Sequence, residues 1–358
     1  MTAQYPPIEP YDVGMLEVGN GNHIYWETCG NPAGRPALVV HGGPGSGCSI
    51  GARRWFDPDR YRIILFDQRG CGRSLPHAGE HDTDLTHNTT AHLLADMERL
   101  RRHLGVPSWL LYGSSWGSTL ALAYAQRHPS QVTGIVLVSV TMTRRIDVDW
   151  LYGGVARFFP AEWARFRDAL PTIHRTSLSR ADPSRGEDGL AGRGGDLVAG
   201  YARWLSDRDP AERAAAAEAW CTWEDAVISL ESNGQPGAYG SRPPRARLAL
   251  ARICSHYFSH GAWLDEGVLL RDAGRLAGIP GVLIHGRHDL GGPYRVAWEL
   301  ARAWPDATLI GVTDSGHTGS ASLGTHLRAT LDRFAAPPAT PNSDSSHHPT
   351  TTVVPPAP

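Results

Sequence analysis

Two rhythms of apolar and polar positions alternate along the 358-residue chain. Two β-rich stretches, Met15–Val18 and His23–Thr28, flank the turn residues Gly19-Asn20-Gly21-Asn22, which predicts a hairpin over residues 14–28. Short apolar runs follow at Ala37–Val40, Arg62–Phe66, Trp109–Tyr112, Gly134–Val140, Gly281–Ile284 and Thr308–Val312. Continuous runs of this length suit strands buried on both faces of a parallel sheet. Between them the period changes to that of a helix. Leu93, Met97, Leu100 and Leu104 share one helical face, as do Val296, Leu300 and Ala303, and again Leu323, Leu327, Thr330 and Phe334. This alternation predicts an open, mostly parallel α/β sheet with crossover helices. Asn88-Thr89-Thr90 reads as a helix start whose side chains cap free backbone N–H groups.

The alternation stops between residues 146 and 270. That stretch is rich in Trp and Arg, with helical periods and no clear strand, and it predicts a helical cap inserted into the sheet domain. The expected organisation is a core in two parts, residues 1–145 and 271–334, a cap over residues 146–270, and a tail over residues 335–358. Within the cap, Ser177–Gly195 is expected to be a mobile loop. The Pro-, Thr- and Ser-rich tail cannot bury a core and is expected to be disordered. His347-His348 in that tail is read as a stray pair, not a metal site.

Composition narrows the classes. The formal net charge is −2 and there is no long basic run, which argues against nucleic acid as a partner. The chain has no lysine, so Schiff-base chemistry and Ser-Lys dyads are excluded. Its five cysteines are odd in number and contain no Cys-x-x-Cys pair, which speaks against a disulfide framework or a structural zinc site. The polar, Pro-rich start has no apolar core of a signal peptide, and no apolar run approaches a membrane span. The expectation is a soluble cytoplasmic protein needing no cofactor, with no membrane contact.

Trp109–Tyr112 leads into Gly113-Ser114-Ser115-Trp116-Gly117, and a helical run follows. This is Gly-x-Ser-x-Gly in a strand–turn–helix setting, the nucleophile elbow of the α/β-hydrolase fold, with Ser115 in the nucleophile's register. A serine nucleophile generates an oxyanion that needs preorganised N–H donors. One is expected from Trp116. The other is expected from His41-Gly42-Gly43-Pro44-Gly45, with Gly43 preferred because a side chain there would crowd the substrate, and Gly42 as the alternative. Position selects the base among seventeen histidines. His317 follows the last strand run, and Asp289 follows the run before it, where a carboxylate can reach the imidazole. Asp314 is a rival carboxylate, more suited to shaping the loop. His285 and His288 read as structural or rim residues.

With these residues in place, the chain resembles the proline iminopeptidases from Tyr5 to about Phe334. The matching stretches are Tyr5-Pro6-Pro7-Ile8-Glu9-Pro10-Tyr11, His41–Gly45, Asp67-Gln68-Arg69-Gly70-Cys71-Gly72-Arg73-Ser74, Asn88-Thr89-Thr90 and Gly113–Leu122. The resemblance implies release of N-terminal proline from small peptides through an acyl-enzyme, without a metal. Asp67 to Ser74 is read as a buried Asp–Arg network bracing the glycine-rich loop. In the family, cap glutamates bind the substrate's N-terminal nitrogen. One carries over, as Glu224 in Trp220-Cys221-Thr222-Trp223-Glu224. The second does not. Where the family reads Ala-Arg-Ile-Glu-Asn-His-Tyr-Phe, this chain has Cys254 and Ser255 for the glutamate and asparagine. A further departure replaces Arg-Gly-Ile-Phe with Val138-Ser139-Val140-Thr141. Cys254 and Thr141 therefore fall in the expected substrate pocket, Cys254 as a small buried hydrophobe without nucleophilic function. They predict weakened proline aminopeptidase activity or a shifted substrate. The alternative is a serine esterase or amidase with an altered cap, and a third reading is a non-catalytic ligand-binding protein.

Overall fold

The computed structural model describes residues 4–174, 194–229 and 237–336. Residues 12–30 form the hairpin: β1 (Asp12–Gly19) and β2 (Asn22–Gly30) pair antiparallel, with Asn20 and Gly21 at positive φ between them. β2 in turn pairs antiparallel with β4 (Tyr61–Phe66). The remaining strands, β3 (Arg35–Val40), β5 (Trp109–Ser114), β6 (Val132–Val138), β7 (Gly281–Gly286) and β8 (Ala307–Val312), join in parallel. The eight-stranded order is β1-β2-β4-β3-β5-β6-β7-β8.

Successive residues of a strand point to opposite faces, and the inner strands fill both. Leu38 and Val40 pack with α1 (Thr90–His103) and α2 (Trp116–Arg127) through Leu93, Met97 and Leu120. Ala37 and Val39 belong to the other layer, with Leu323, Leu327 and Leu331 of α10 (Ala321–Ala335). α9 (Tyr294–Ala303) covers the first face beside β7 with Val296, Ala297 and Leu300.

Three expectations need correction. β8 is not buried on both faces. It is the sheet's edge, and its pattern is mostly half-exposed or exposed. β6 stops at Val138, because Ser139 turns to φ 49° and leaves the strand conformation. α1 does begin at Thr90, but Thr89 makes no side-chain cap bond; its hydroxyl meets His92 Nδ1 at 2.8 Å. Asn88 is spent on tertiary bonds, to the Arg69 carbonyl at 3.0 Å and from the Tyr257 hydroxyl at 2.9 Å.

Between β6 and β7 the described residues contain only helices: α3 (Arg145–Leu151), α4 (Pro160–Ala169), α5 (Gly194–Trp204), α6 (Pro210–Ile228), α7 (Pro244–Ser259) and α8 (Val268–Arg271), with short 3-10 turns. Phe166, Tyr201, Trp220 and Trp223 form a second apolar cluster there. Phe166 stacks on Tyr201 at 4.4 Å and on Trp223 at 5.5 Å between ring centroids. Gly194 and Gly195 of the expected loop belong to α5, and the rest of it, 177–193, lies outside the described residues. The tail beyond Ala336, with His347-His348, also lies outside them. Among the described residues no helix is long and apolar enough to cross a membrane.

Candidate active site

Ser115 occupies the junction of β5 and α2 with φ 54° and ψ −125°. That left-handed backbone is costly for a residue with a side chain. The two flanking glycines explain how the turn is made. A Cβ on Gly113 would stand 2.4 Å from the Gly117 carbonyl oxygen, and one on Gly117 would stand 2.0 Å from that of Val40. Only glycine lets strand, helix and the neighbouring β3 end come so close.

The Ser115 hydroxyl lies 3.0 Å from Nε2 of His317, in the loop after β8. Nδ1 of the same ring lies 2.9 and 3.0 Å from the two carboxyl oxygens of Asp289, in the loop after β7. Asp289 also accepts the Gly292 N–H at 2.7 Å. Burial on its own would raise the Asp289 carboxyl, but the His317 ring, His285 and the Gly292 N–H together hold it below the usual carboxylate range. His285 is a buried clamp: Nδ1 accepts the Val140 N–H at 2.9 Å and Nε2 faces the Gly292 carbonyl at 2.7 Å, so the Nε2–H tautomer fits. Burial lowers its pKa and keeps it neutral. Asp314 is exposed and accepts from Ser320 and Ser322, away from this constellation.

The loop after β3 faces the same hydroxyl. A Cβ on Gly42 would lie 2.9 Å from the Ser114 carbonyl oxygen and 3.3 Å from Ser115 Cβ. Gly43 has φ 112°, and a Cβ there would strike Gly45 N and Ser46 N at 2.7 and 2.8 Å. The turn of its own loop therefore requires glycine at 43. Among the described residues no protein acceptor takes the N–H of Gly43 or of Trp116. Gln68 ties these two segments together: its side chain donates to the His41 carbonyl at 2.9 Å and accepts from the Trp116 indole at 3.0 Å. Only its place within the Asp67–Ser74 stretch could have drawn attention to it.

Asp67 accepts the Cys48 N–H at 2.7 Å, and the Arg73 N–H and Nε at 2.8 and 2.7 Å. Arg73 and Arg53 then both reach the buried Glu27 at 2.8 Å. Removing one partner of such a buried set leaves the others unpaired. Asp67→Ala is expected to destabilise the protein by about 3 kcal/mol, read as the shift in a urea unfolding midpoint.

A cavity opens beside Ser115 and His317, with about 670 Å³ of empty space including its mouth. Such a size takes a small molecule. Gly43, Trp116 and Thr141 line it from the sheet side, and Tyr152, Glu224, Tyr239 and Phe258 from the helical side. Its acidic lining residues are Asp147 and Glu224. Asp147 is bound through both oxygens by Arg144. Glu224 accepts the Tyr152 hydroxyl at 2.5 Å and the Trp220 indole N–H at 2.8 Å, both on Oε1. Among the described residues no donor meets Oε2. Burial is the main cause that lifts the Glu224 pKa to about 7, against the opposing pull of those two donors. Tyr152, in the helical insertion, carried no signal in the sequence.

Cys254 corrects an expectation. It is fully buried, its thiol directed to the Pro44 carbonyl at 3.1 Å, and it is not among the lining residues. Thr141 does line the cavity, its hydroxyl 3.1 Å from that of Thr119. Among the described residues no group of three or more His, Cys, Asp or Glu is placed to hold a metal.

Comparison with known proteins places this geometry among relatives. Residues 36–321 match the α/β hydrolase fold family. The chain is 47% identical over 336 residues to a probable proline iminopeptidase of Streptomyces coelicolor, covering 92% of this chain and 97% of that one. It is 45% identical over 320 residues to a proline iminopeptidase of Xylella fastidiosa, covering 89% and 94%. Among solved structures, a proline iminopeptidase of Mycobacterium smegmatis superposes with a TM-score of 0.51 at 17% identity, over 90% of this chain and 97% of that one. A bromoperoxidase of Bacillus anthracis reaches 0.56 at 16% identity, over 90% and 98%. These two likenesses concern the fold alone.

Proposed function

Because the chain belongs to the proline iminopeptidase family of α/β hydrolases, we propose that Ser115, His317 and Asp289 form its acyl-transfer machinery and that Glu224 receives the substrate's free amine. The observation that carries this reading is the open Oε2 of Glu224 in the same cavity as the Ser115 hydroxyl. An exopeptidase must recognise a chain end, and a buried carboxylate near the nucleophile does so by a charge-assisted hydrogen bond.

The steps follow from the geometry. Nε2 of His317 takes the Ser115 proton as Oγ attacks the proline carbonyl carbon, and Asp289 stabilises the imidazolium that forms. The Gly43 and Trp116 N–H groups hold the tetrahedral oxyanion, with the N-terminus of α2 adding favourable potential. His317 returns the proton to the leaving amine. Water then hydrolyses the prolyl-enzyme by the same route. The helices between β6 and β7 act as the cap that walls the amine end. All five cysteines are unpaired, in keeping with a cytoplasmic enzyme of small peptides.

The test compares proline p-nitroanilide with cyclopentanecarbonyl p-nitroanilide, the same ring without its amine. Strong preference for the proline compound is expected; equal turnover overturns the reading. Glu224→Gln should reduce that preference by about 10- to 100-fold, the value of one charged hydrogen bond. The pH dependence has a definite sign. Below its pKa of about 7 the Glu224 carboxyl takes a proton and loses the charge that attracts an ammonium. The ratio of kcat/KM between the two substrates therefore falls as pH drops through about 7, and in Glu224→Gln it is flat.

A second reading has one specific support: with Cys254 turned to Pro44, Glu224 is the single acidic lining group among the described residues that is free to face the substrate. A serine esterase or amidase acting on uncharged acyl groups would favour the cyclopentane compound instead.

A further inference from the structure

Tyr239 lines the cavity, yet among the described residues its hydroxyl makes no hydrogen bond with the protein. The residue is nevertheless held firmly. Its backbone N–H and that of Gly240 donate to the two oxygens of buried Asp225 at 2.9 and 2.7 Å. Asp225 follows Glu224 directly on α6. A Cβ on Gly240 would lie 2.8 Å from that carboxylate, so the turn needs glycine there. On the other side, Arg242 donates to the Ala238 carbonyl at 3.0 Å and to the Ser46 carbonyl at 2.9 Å, in the loop that carries Gly43. Its guanidinium also lies 5.3 Å from the Tyr239 ring centroid. The turn is therefore pinned both to the amine end of the cavity and to the loop facing the nucleophile. A hydroxyl fixed by such a scaffold and left without a protein partner is available for a ligand.

The chemistry of a proline terminus supplies the match. Its protonated ring nitrogen carries two N–H donors. Glu224 offers one open oxygen, because its other oxygen is taken by Tyr152 and Trp220. Cys254 is turned to Pro44 and offers nothing to the cavity. We propose that Tyr239 is a specificity residue: its hydroxyl oxygen accepts one N–H of the substrate's ring nitrogen while Oε2 of Glu224 accepts the other. Burial holds the phenol in its protonated form, so it serves as a neutral acceptor beside a carboxylate. The inference rests on the amine-binding role given to Glu224 above.

Binding is measured by calorimetry in Ser115→Ala protein, which prevents turnover, with prolinamide and with cyclopentanecarboxamide, which lacks the nitrogen. Adding Tyr239→Phe is expected to weaken prolinamide about tenfold, the lower end of the range for a hydrogen bond with a charged partner. The cyclopentane amide should change less than twofold. The Glu224→Gln variant separates the underlying reading from this one. If wild-type cavity residues and Glu224→Gln bind the two amides with the same ratio, the amine site itself fails and the inference goes with it. If Glu224→Gln lowers the ratio but Tyr239→Phe does not, the amine site stands and the role of Tyr239 is overturned. Equal weakening of both amides by Tyr239→Phe would mean a packing role only, and also overturns it.

Discussion

Ser115→Ala is expected to lower kcat for proline p-nitroanilide by about a millionfold, while substrate affinity and folding stay intact. The side chain is isolated from the supporting structure. Among the described residues its hydroxyl bonds only His317, whereas the turn is held through the Ser115 backbone: the Ser115 N–H donates to the Val138 carbonyl at 3.0 Å, and the Ser118 hydroxyl donates to the Ser115 carbonyl at 2.6 Å. Alanine bears the same positive φ as serine, so the substitution adds little backbone strain. Steady-state rates and fluorophosphonate labelling, both lost together with an unchanged thermal midpoint, are the expected pattern. Retention of one part in a hundred of the wild-type rate would mean that another group attacks the carbonyl.

The second large effect belongs to Asp289→Asn, expected to lower kcat by about ten thousandfold. The carboxylate accepts the His317 Nδ1–H and the Gly292 N–H with no room for a donor. An amide NH2 placed there favours the opposite tautomer, with the proton on Nε2, where it cannot receive one from Ser115. Affinity should change little, so the loss appears in kcat and not in KM. The same substitution changes acid stability. The native pKa of Asp289 is depressed, so its contribution is present above the usual carboxylate range and is lost as pH falls through the native value. In Asp289→Asn that acid-dependent part is removed, and unfolding midpoints measured at pH 7 and pH 3 should lie closer together than in the wild type.

The central sheet was readable because its inner strands are continuous apolar runs, and the elbow because glycine spacing and a strand–helix context occur together. What escaped depended on neighbours remote in sequence. β8 has an ordinary apolar run, and only its place at the sheet edge leaves it half-exposed. Thr89 has a cap residue's chemistry, but His92 competes for its hydroxyl. Cys254 could be aligned with a cavity position by resemblance, yet its thiol finds the Pro44 carbonyl first. Tyr152, Gln68 and Tyr239 each act through a partner at least 27 positions away or through a cavity, and no local pattern encodes either.

The arrangement of chain segments has a consequence for how selectivity can change. Ser115, Asp289 and His317 follow β5, β7 and β8, whereas Tyr152, Glu224 and Tyr239 all fall in the single stretch of chain between β6 and β7, whose described residues hold helices and turns but no strand. On the roles proposed for these residues, bond-breaking and ligand choice are therefore written on separable lengths of polypeptide. A replacement passage could reprogramme which acyl groups enter without retuning the hydroxyl, provided it keeps the seams that dock it, among them Arg242 on Ser46, Cys254 on Pro44, Tyr257 on Asn88, Arg252 on Ala78 and Trp150 on Leu290. Such modularity makes this scaffold suited to chimeras, with those seams as the places where a graft would first misfit.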